Sequence, residues 1–308
     1  MPNKMNALTA GSLPISGQTA LYALFGSPVA HSLSPAMYNL CFEHHGLDAR
    51  YLAFDVGASD MAQAMDAMRL LNIRGANVTM PGKQAAARLV DERSIVVEIT
   101  GACNTIVNRE GRLAGHCTDG EGLVAALRAA GIDIRGRRVV LLGAGGAAAA
   151  IMVQCAADGA AQVDVLNRRS ARYEQAGKMI ERLSDQHGIR SVMLHDWADR
   201  TRLLSCITAA DILINATSVG MAPAAAAVPL PSDCRLDHLT ALVDIIYNPT
   251  ETALMRMGRE QGVPAVLNGH GMLLYQGAAA FRLFTGLDMP IYRVAASVFG
   301  LEQEPDPS

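Results

Sequence analysis

From residue 139 onward, short apolar runs alternate with longer amphipathic ones. Val139-Val140-Leu141-Leu142 has strand length and no polar break, as a strand buried on both faces requires. Comparable runs recur at Val163–Leu166, Ser191–His195, Asp211–Asn215, Ala241–Ile246 and Pro264–Leu267. Six such strands separated by helical stretches predict a parallel, doubly wound sheet. Upstream, Tyr22–Phe25, Ala49–Asp55, Gly75–Thr79 and Thr105–Asn108 read as strands, whereas Ser34–His45 and Ser59–Leu71 carry helical spacing. Met61, Met65 and Met68 fall at i, i+4 and i+7, so they share one helical face and read as core packing. These elements predict a smaller α/β domain ahead of the parallel sheet. A helix starting at Gly120, with Leu123, Val124 and Leu127 on one side and Gly131 as its stop, connects the two. Ala222–Pro231 reads as an Ala/Pro loop, and the chain shows no internal repeat.

The run at Val139 ends in Gly143-Ala144-Gly145-Gly146-Ala147-Ala148, a glycine turn opening an Ala-rich helix. In a dinucleotide fingerprint the first glycine permits the tight turn, the next lets backbone approach a pyrophosphate, and a small third residue lets helix and strand pack closely. A small-residue turn serving only helix packing is the plain alternative. The fingerprint lies far from the N-terminus, so the residues ahead of it form a separate module, expected to hold substrate.

Composition narrows the class. Of 308 residues, 50% are hydrophobic, 18% charged and 5% aromatic, which fits a two-domain globular enzyme and not a disordered chain. The net charge of −3, with no Lys/Arg block, argues against nucleic acid as a partner. The longest apolar stretch, Val139 to Val153, is too short to span a bilayer, and residues 1–16 lack an apolar core of the kind a secretion signal has. No membrane association and a cytoplasmic location are therefore expected. The six cysteines include no Cys-x-x-Cys pair, which fits reduced thiols. His44 and His45 are adjacent and should splay apart on a helix, and His116-Cys117 has no ligand-spaced partner nearby, so no metal site is expected.

Four polar cassettes fall where strands should end, which is where open α/β sheets place ligand groups. They are HSLSP at residues 31–35, NVTMPGK at 77–83, GACNT at 101–105 and Thr118-Asp119-Gly120. Such donor-rich sets suit a small polyol or hydroxy acid better than an apolar substrate. Each cassette also has a structural reading. Ser34 followed by Pro35 is a good N-cap pair, Asn104 suits a turn, Asp119 suits a helix cap, and Lys83 suits a solvated surface. The four together favour chemistry over four separate coincidences.

These cassettes, followed in order by GAGGAA, NRR, NATSVGM, Tyr247-Asn248-Pro249 and GMLLYQGAAAF, make the chain strongly resemble the shikimate dehydrogenases over about residues 20–295. TMPGKQ, NRRS and GHGMLLYQG look especially like the quinate/shikimate dehydrogenase branch. The resemblance implies an α/β fold in which residues 17–119 form the substrate domain and residues 120–272 a Rossmann-type cofactor domain. Residues 273–308 form C-terminal helices that return to the first domain, pack beside Ser34 and carry Gln276 into the cleft. It implies Lys83 and Asp119 as the catalytic pair, with Ser32, Ser34, Thr79, Asn104, Tyr247 and Gln276 holding shikimate or quinate. Gly143, Ala144, Gly145, Gly146, Ala147, Asn167, Arg168, Arg169, Thr217 and Gly269 would line the cofactor. The assembly expected is a monomer or homodimer.

The chemistry agrees with that assignment. Hydride leaves a secondary alcohol carbon as its hydroxyl loses a proton, so the site needs a donor for the developing oxyanion and a base for the proton. A carboxylate beside a lysine favours the charged ammonium, so Lys83 reads mainly as the group that orients and stabilises the oxygen. Cofactor choice turns on the end of the second Rossmann strand, where an acid binds the 2′-hydroxyl of NAD and an Arg accepts the 2′-phosphate of NADP. Asn167-Arg168-Arg169-Ser170 stands there, and Asp164 falls inside the strand, so NADP is favoured with NAD as the alternative. Two departures from the family pattern, Cys117 for the usual Asn and Gly82 for a bulkier residue, leave the reaction class intact but bear on the exact substrate.

The leading expectation is interconversion of shikimate and 3-dehydroshikimate in aromatic amino acid biosynthesis. A catabolic quinate/shikimate dehydrogenase using NAD or NADP is the second. A non-catalytic cofactor-binding sensor is the third, disfavoured because a pure binder needs neither Lys83 nor Asp119. A folate-interconverting dehydrogenase would share the layout without needing HSLSP and Gln276.

Overall fold

A computed structural model describes residues 14–301; residues 1–13, most of the polar N-terminal stretch, and residues 302–308 lie outside the described residues. The chain forms two compact units, and the first comprises the residues up to Glu92, Cys103–Gly115 and those from Ala280 on.

Along the chain the first unit holds β1 (Ala20–Gly26), α1 (Ser34–His44), β2 (Ala49–Asp55), α2 (Met61–Leu70), β3 (Gly75–Val78), α3 (Lys83–Leu89) and β4 (Glu92–Arg93). After α4 (Ile95–Thr100), which belongs to the second unit, come β5 (Thr105–Arg109) and β6 (Arg112–His116). The sheet order is β2-β1-β3-β5-β6-β4, with β1 parallel to both β2 and β3 and β5 antiparallel to β3. The hydrophobic pattern misses β4 and β6. The former is two exposed charged residues, and the latter, Arg-Leu-Ala-Gly-His, is too short to show alternation. Strands β5 and β6 are joined by Glu110-Gly111, both at positive φ (55° and 89°), the backbone a two-residue hairpin turn requires.

Met61, Met65 and Met68 are 0%, 1% and 0% exposed, the core stripe their spacing predicts. Fully burying each contributes about 1.5–3 kcal/mol. The same unit holds an aromatic cluster in which Tyr38 stacks on Tyr51 at 4.5 Å and meets Phe281 and Phe284 at 6.4 and 5.9 Å. The two phenylalanines come from the C-terminal part of the chain, which belongs to the first unit from Ala280 on. His44 and His45 do not splay: His45 lies past the helix end, and the two rings meet edge-on at 4.9 Å.

The second unit contains α5 (Asp119–Ala129), β7 (Arg138–Leu142), α6 (Gly146–Ala157), β8 (Gln162–Asn167), α7 (Ala171–His187), β9 (Val192–Asp196) and α8 (Arg200–Thr208). It continues through β10 (Ile212–Asn215), β11 (Ala241–Asp244), α9 (Ala253–Glu260), β12 (Ala265–Leu267) and α10 (Gly269–Thr285), which leaves the unit after residue 279. The last helix, α11 (Ile291–Phe299), belongs to the first unit. Strand order is β12-β11-β10-β7-β8-β9, and its pairs are parallel. The direction of winding reverses between β7 and β10, the crevice where open sheets of this kind bind ligands. No helix or strand interrupts residues 216–240, which contain the anticipated Ala/Pro loop. Among the described residues no helix is long and apolar enough to cross a membrane.

Candidate active site

In the first unit the cassettes converge on the ends of β1, β3 and β5. The Thr79 N–H donates to the Phe25 carbonyl (2.9 Å) and its own carbonyl accepts from Gly82 (2.9 Å), closing a tight turn that delivers Lys83 as the first residue of α3. Lys83 is half-buried, and its carbonyl accepts from the Cys103 N–H (3.0 Å), which ties NVTMPGK to GACNT through backbone. Behind this turn runs a buried polar network. The Tyr51 hydroxyl donates to Asn77 Oδ1 (2.8 Å), and Asn77 Nδ2 donates to the Asn104 carbonyl (3.3 Å) and Thr105 Oγ1 (3.1 Å). The Thr105 hydroxyl in turn donates to Asn104 Oδ1 (2.9 Å). The Ser34 hydroxyl hydrogen-bonds the Tyr51 phenol, and burial holds that phenol well above its ordinary pKa, so it stays a neutral donor. Ser34, Asn104 and Thr105 are thus held in one network centred on Asn77, a residue inside a quoted cassette to which sequence reasoning gives no role. The available signal is a polar residue between Ala76 and Val78 in a fully buried strand.

The N-cap expectation for Ser34 is corrected. Leu33 is the N-cap of α1 and makes no side-chain bond; Ser34 is already helical, and Pro35 sits in the first turn. The hydroxyl that satisfies the helix start belongs to Ser32, whose Oγ accepts from the Ser34 N–H (3.2 Å). A serine two residues ahead of a free N–H can bond it through a local side-chain turn, which frees the Ser34 hydroxyl for Tyr51. Gly82 also has a physical reason: a side chain there would run into the end of Met61 and reach 3.0 Å from Val78.

In the second unit Asp119 opens α5, with Thr118 as N-cap, so Asp119 does not cap the helix and the helix begins one residue before Gly120. Asp119 is only 6% exposed. The Thr118 hydroxyl reaches Gln276 Oε1 (3.4 Å), and Gln276 Nε2 donates to the Leu273 carbonyl (3.0 Å). A Cβ at Gly122 would stand 2.5 Å from the Gln276 backbone nitrogen, and one at Gly120 would strike the Ala150 carbonyl. The two glycines of Thr-Asp-Gly-Glu-Gly therefore let α5 lie against both α10 and α6, which brings Asp119 and Gln276 to one end of the unit.

The cofactor turn follows the fingerprint. Gly143 has φ +102°, and a Cβ on it would press to 3.0 Å from the Ala216 carbonyl and 3.1 Å from Thr217. Gly145 is the extended N-cap of α6, and Cβ atoms at Gly145 or Gly146 would meet nothing within 4 Å. Open backbone at a helix N-terminus is what a phosphate group needs. Across the crevice Asn215 Oδ1 accepts from the Thr217 N–H (3.0 Å) and hydroxyl (2.7 Å), while its Nδ2 donates to Asp244 (3.0 Å). Asp244 also accepts from Thr252 (2.7 Å) and Ile246 N–H (3.2 Å); burial raises its pKa, against the pull of those donors. Beyond it, the Gly269 N–H donates to the Ile246 carbonyl (3.0 Å), and Tyr247, half-exposed, faces His270 at 6.0 Å.

At the end of β8, Asn167 Nδ2 donates to the Arg168 carbonyl (2.8 Å), and both arginines are exposed. Arg169 Nε donates to Asp196 Oδ2 (2.7 Å). Asp164 is inside the strand, 2% exposed, and both its oxygens accept from Gln162 (2.7 and 2.8 Å) while Oδ1 meets His195 Nε2 (2.7 Å). With Cys206 this makes a group whose donor atoms lie within 4.8 Å of one another. Two ligands of one tetrahedral ion stand about 3.3 Å apart. The Asp164–His195 contact is closer than that and fits a hydrogen bond.

Comparisons with known proteins agree with this arrangement. The sequence profile of the shikimate dehydrogenase substrate binding domain matches residues 24–106, and that of the shikimate 5′-dehydrogenase C-terminal domain matches residues 269–298. A shikimate dehydrogenase (NADP(+)) of Streptococcus uberis is 43% identical over 281 residues, 90% of this chain and 94% of that protein. The crystal structure of shikimate 5-dehydrogenase from Listeria monocytogenes, in complex with shikimate and NAD, superposes with TM-score 0.86 at 40% identity, covering 92% of this chain and 97% of that one. Shikimate 5-dehydrogenase from Thermus thermophilus, in complex with NADP(H) and shikimate, gives 0.78 at 34%, covering 91% and 99%. With a paired-unit fold, a lysine-bearing turn, a buried aspartate at the start of α5 and alignment to these relatives over nine-tenths of its length, the chain belongs to the shikimate dehydrogenase family.

Proposed function

We propose that this chain interconverts shikimate and 3-dehydroshikimate with NADP as its main cofactor, as in aromatic amino acid biosynthesis. The observation that carries the reading is 43% identity over 90% of the chain to an NADP-linked shikimate dehydrogenase, supported by the lysine-bearing turn at Lys83 and the buried Asp119. The residues fit a pyridine dinucleotide: the Gly143–Ala147 turn offers open backbone to the pyrophosphate, Thr217 and Gly269 border the crevice, and Asn167, Arg168 and Arg169 meet the adenosine end. When bound, the nicotinamide exchanges a hydride with the carbon bearing the reacting hydroxyl. Lys83, as an ammonium, donates to that hydroxyl oxygen and stabilises the charge that develops as it loses its proton. Asp119, as a carboxylate, is the group that would take the proton the hydroxyl loses in oxidation and return it in the reverse direction. Ser32, Ser34 and Tyr247 capture the substrate carboxylate with hydroxyl donors, and Thr79, Asn104 and Gln276 fix the ring hydroxyls. A cytoplasmic site of action suits six buried cysteine thiols.

Initial rates with shikimate and with quinate, each against NADP and NAD, test the proposal. It expects shikimate with NADP to give the highest kcat/KM. Quinate with NAD exceeding it would move the chain to the catabolic reading, and binding without turnover would make it a sensor.

A further inference from the structure

The cofactor's adenosine end is read by more than the strand that carries the arginines. Asn167, last residue of β8, stands opposite Asp196, last residue of β9, and the Trp197 N–H donates to the Asn167 carbonyl (2.9 Å). Asp196 Oδ1 is fixed by the Ala198 N–H (3.0 Å), and Oδ2 takes the Arg169 Nε–H (2.7 Å). The Arg169 guanidinium also lies 5.3 Å over the Tyr173 ring, so it is held on two sides. Arg168, next to it, makes no ion pair among the described residues. Two neighbouring arginines of identical charge therefore sit in different electrostatic states, one neutralised by a carboxylate and one with its full charge exposed.

We infer that Asp196 is a specificity-determining residue: by neutralising Arg169 beside the adenosine 2′ position it lowers the discrimination for a 2′-phosphate and leaves Arg168 to carry most of it. The inference rests on the reading that the Gly143 turn holds a dinucleotide whose adenosine lies at the ends of β8 and β9. Its physical basis is the sign of the charge. A 2′-phosphate brings negative charge that a 2′-hydroxyl does not, so a fixed carboxylate at this position penalises only the former. The Ala198 hydrogen bond and Arg169 both hold the Asp196 pKa below the ordinary carboxylate range, so the penalty is present throughout the neutral range. The sequence places no acid at the end of the second Rossmann strand; this one arrives from the next strand.

The test is calorimetric binding of adenosine 2′,5′-bisphosphate and adenosine 5′-monophosphate, which differ only in the 2′-phosphate and require no turnover. Asp196→Asn, which keeps an acceptor for Ala198, should raise the bisphosphate-to-monophosphate affinity ratio by about twofold to fivefold, the scale of removing one screened surface charge. In the wild-type background Arg168→Ala should lower that ratio by about tenfold or more, as loss of a charge-assisted phosphate contact does, and Arg169→Ala by less than about threefold. Arg169→Ala should cost more in the Asp196→Asn background. An unchanged or lower ratio in Asp196→Asn, or equal losses for the two arginines in the wild type, overturns the inference while the dinucleotide reading stands. Failure of the wild-type protein to bind either nucleotide overturns that reading and the inference with it.

Discussion

The polar edge of the first unit and the cofactor edge of the second use opposite means of recognition. In the first, Tyr51, Asn77, Asn104 and Thr105 are buried and bonded to one another, so the groups offered to substrate are positioned by an inner layer whose hydrogen bonds are already made. In the second, Gly145 and Gly146 leave open space beside the backbone at the start of α6, and the charge proposed to read the 2′-phosphate lies on the exposed Arg168 and Arg169, with the half-buried Asp196 beside them. A small rigid substrate rewards side chains fixed in advance, because a network paired in the folded state needs no rearrangement on binding. A long flexible dinucleotide is met by glycine turns and surface charge. Substitutions on the first edge should therefore couple activity to stability, whereas those on the second should move affinity alone.

The largest effect that would break this contrast is at Lys83. Lys83→Ala should lower kcat by about a hundredfold or more with little change in the Michaelis constant for shikimate, the scale of losing a positioned oxyanion donor. Near-normal turnover in that variant would remove the first edge from the chemistry. Next, Ser32→Ala and Ser34→Ala should each raise the shikimate Michaelis constant by roughly tenfold or more, as loss of a charge-assisted hydrogen bond does. Both should lose stability as well, because Ser32→Ala removes the acceptor for the Ser34 N–H and Ser34→Ala removes a partner of the buried Tyr51 phenol, each costing about 1 kcal/mol in chemical denaturation. Weakened binding with unchanged stability in either variant would break the coupling.

Asn77→Ala sharpens the coupling itself. It leaves the Tyr51 hydroxyl and Thr105 without their buried partner, so unfolding free energy should fall by about 1–3 kcal/mol, with a rise in the Michaelis constant in the same variant. A change in one without the other would separate the network from recognition. The smallest effect is at Asp91, which accepts from the Leu113 N–H (2.7 Å) and from Arg69 (3.1 and 3.0 Å). Those contacts lower its pKa below 3.8, the Leu113 bond most, so its stabilisation is fully present above that value and is lost as pH falls through the folded-state pKa. Asp91→Asn should lower stability at neutral pH by under about 1 kcal/mol, and the gap to wild type should close in acid. A gap that widens on acidification would contradict the sign.

Legibility in the sequence follows the same division. Strands β7, β10 and β11 are readable because burial on both faces makes them nearly unbroken apolar runs, and the cofactor turn is readable because glycine is dictated locally. Strand β6 is not, since Arg112, Gly115 and His116 dilute a five-residue pattern. The cassettes locate Lys83, Asp119, Asn104 and the two serines, but which serine starts α1 depends on a backbone turn that spacing does not encode. Asn77's role and the Asp196–Arg169 pair are hidden for a common reason: their partners lie 26 and 27 residues away, Tyr51 and Asp196, and only strand pairing brings them together.

A crystal structure of the protein with shikimate and NADP tests the contrast most directly. The account predicts the shikimate carboxylate on the hydroxyls of Ser32, Ser34 and Tyr247, with Lys83 on the reacting hydroxyl and the 2′-phosphate on Arg168. A carboxylate held by an arginine or lysine, with both serine hydroxyls unoccupied, would contradict it.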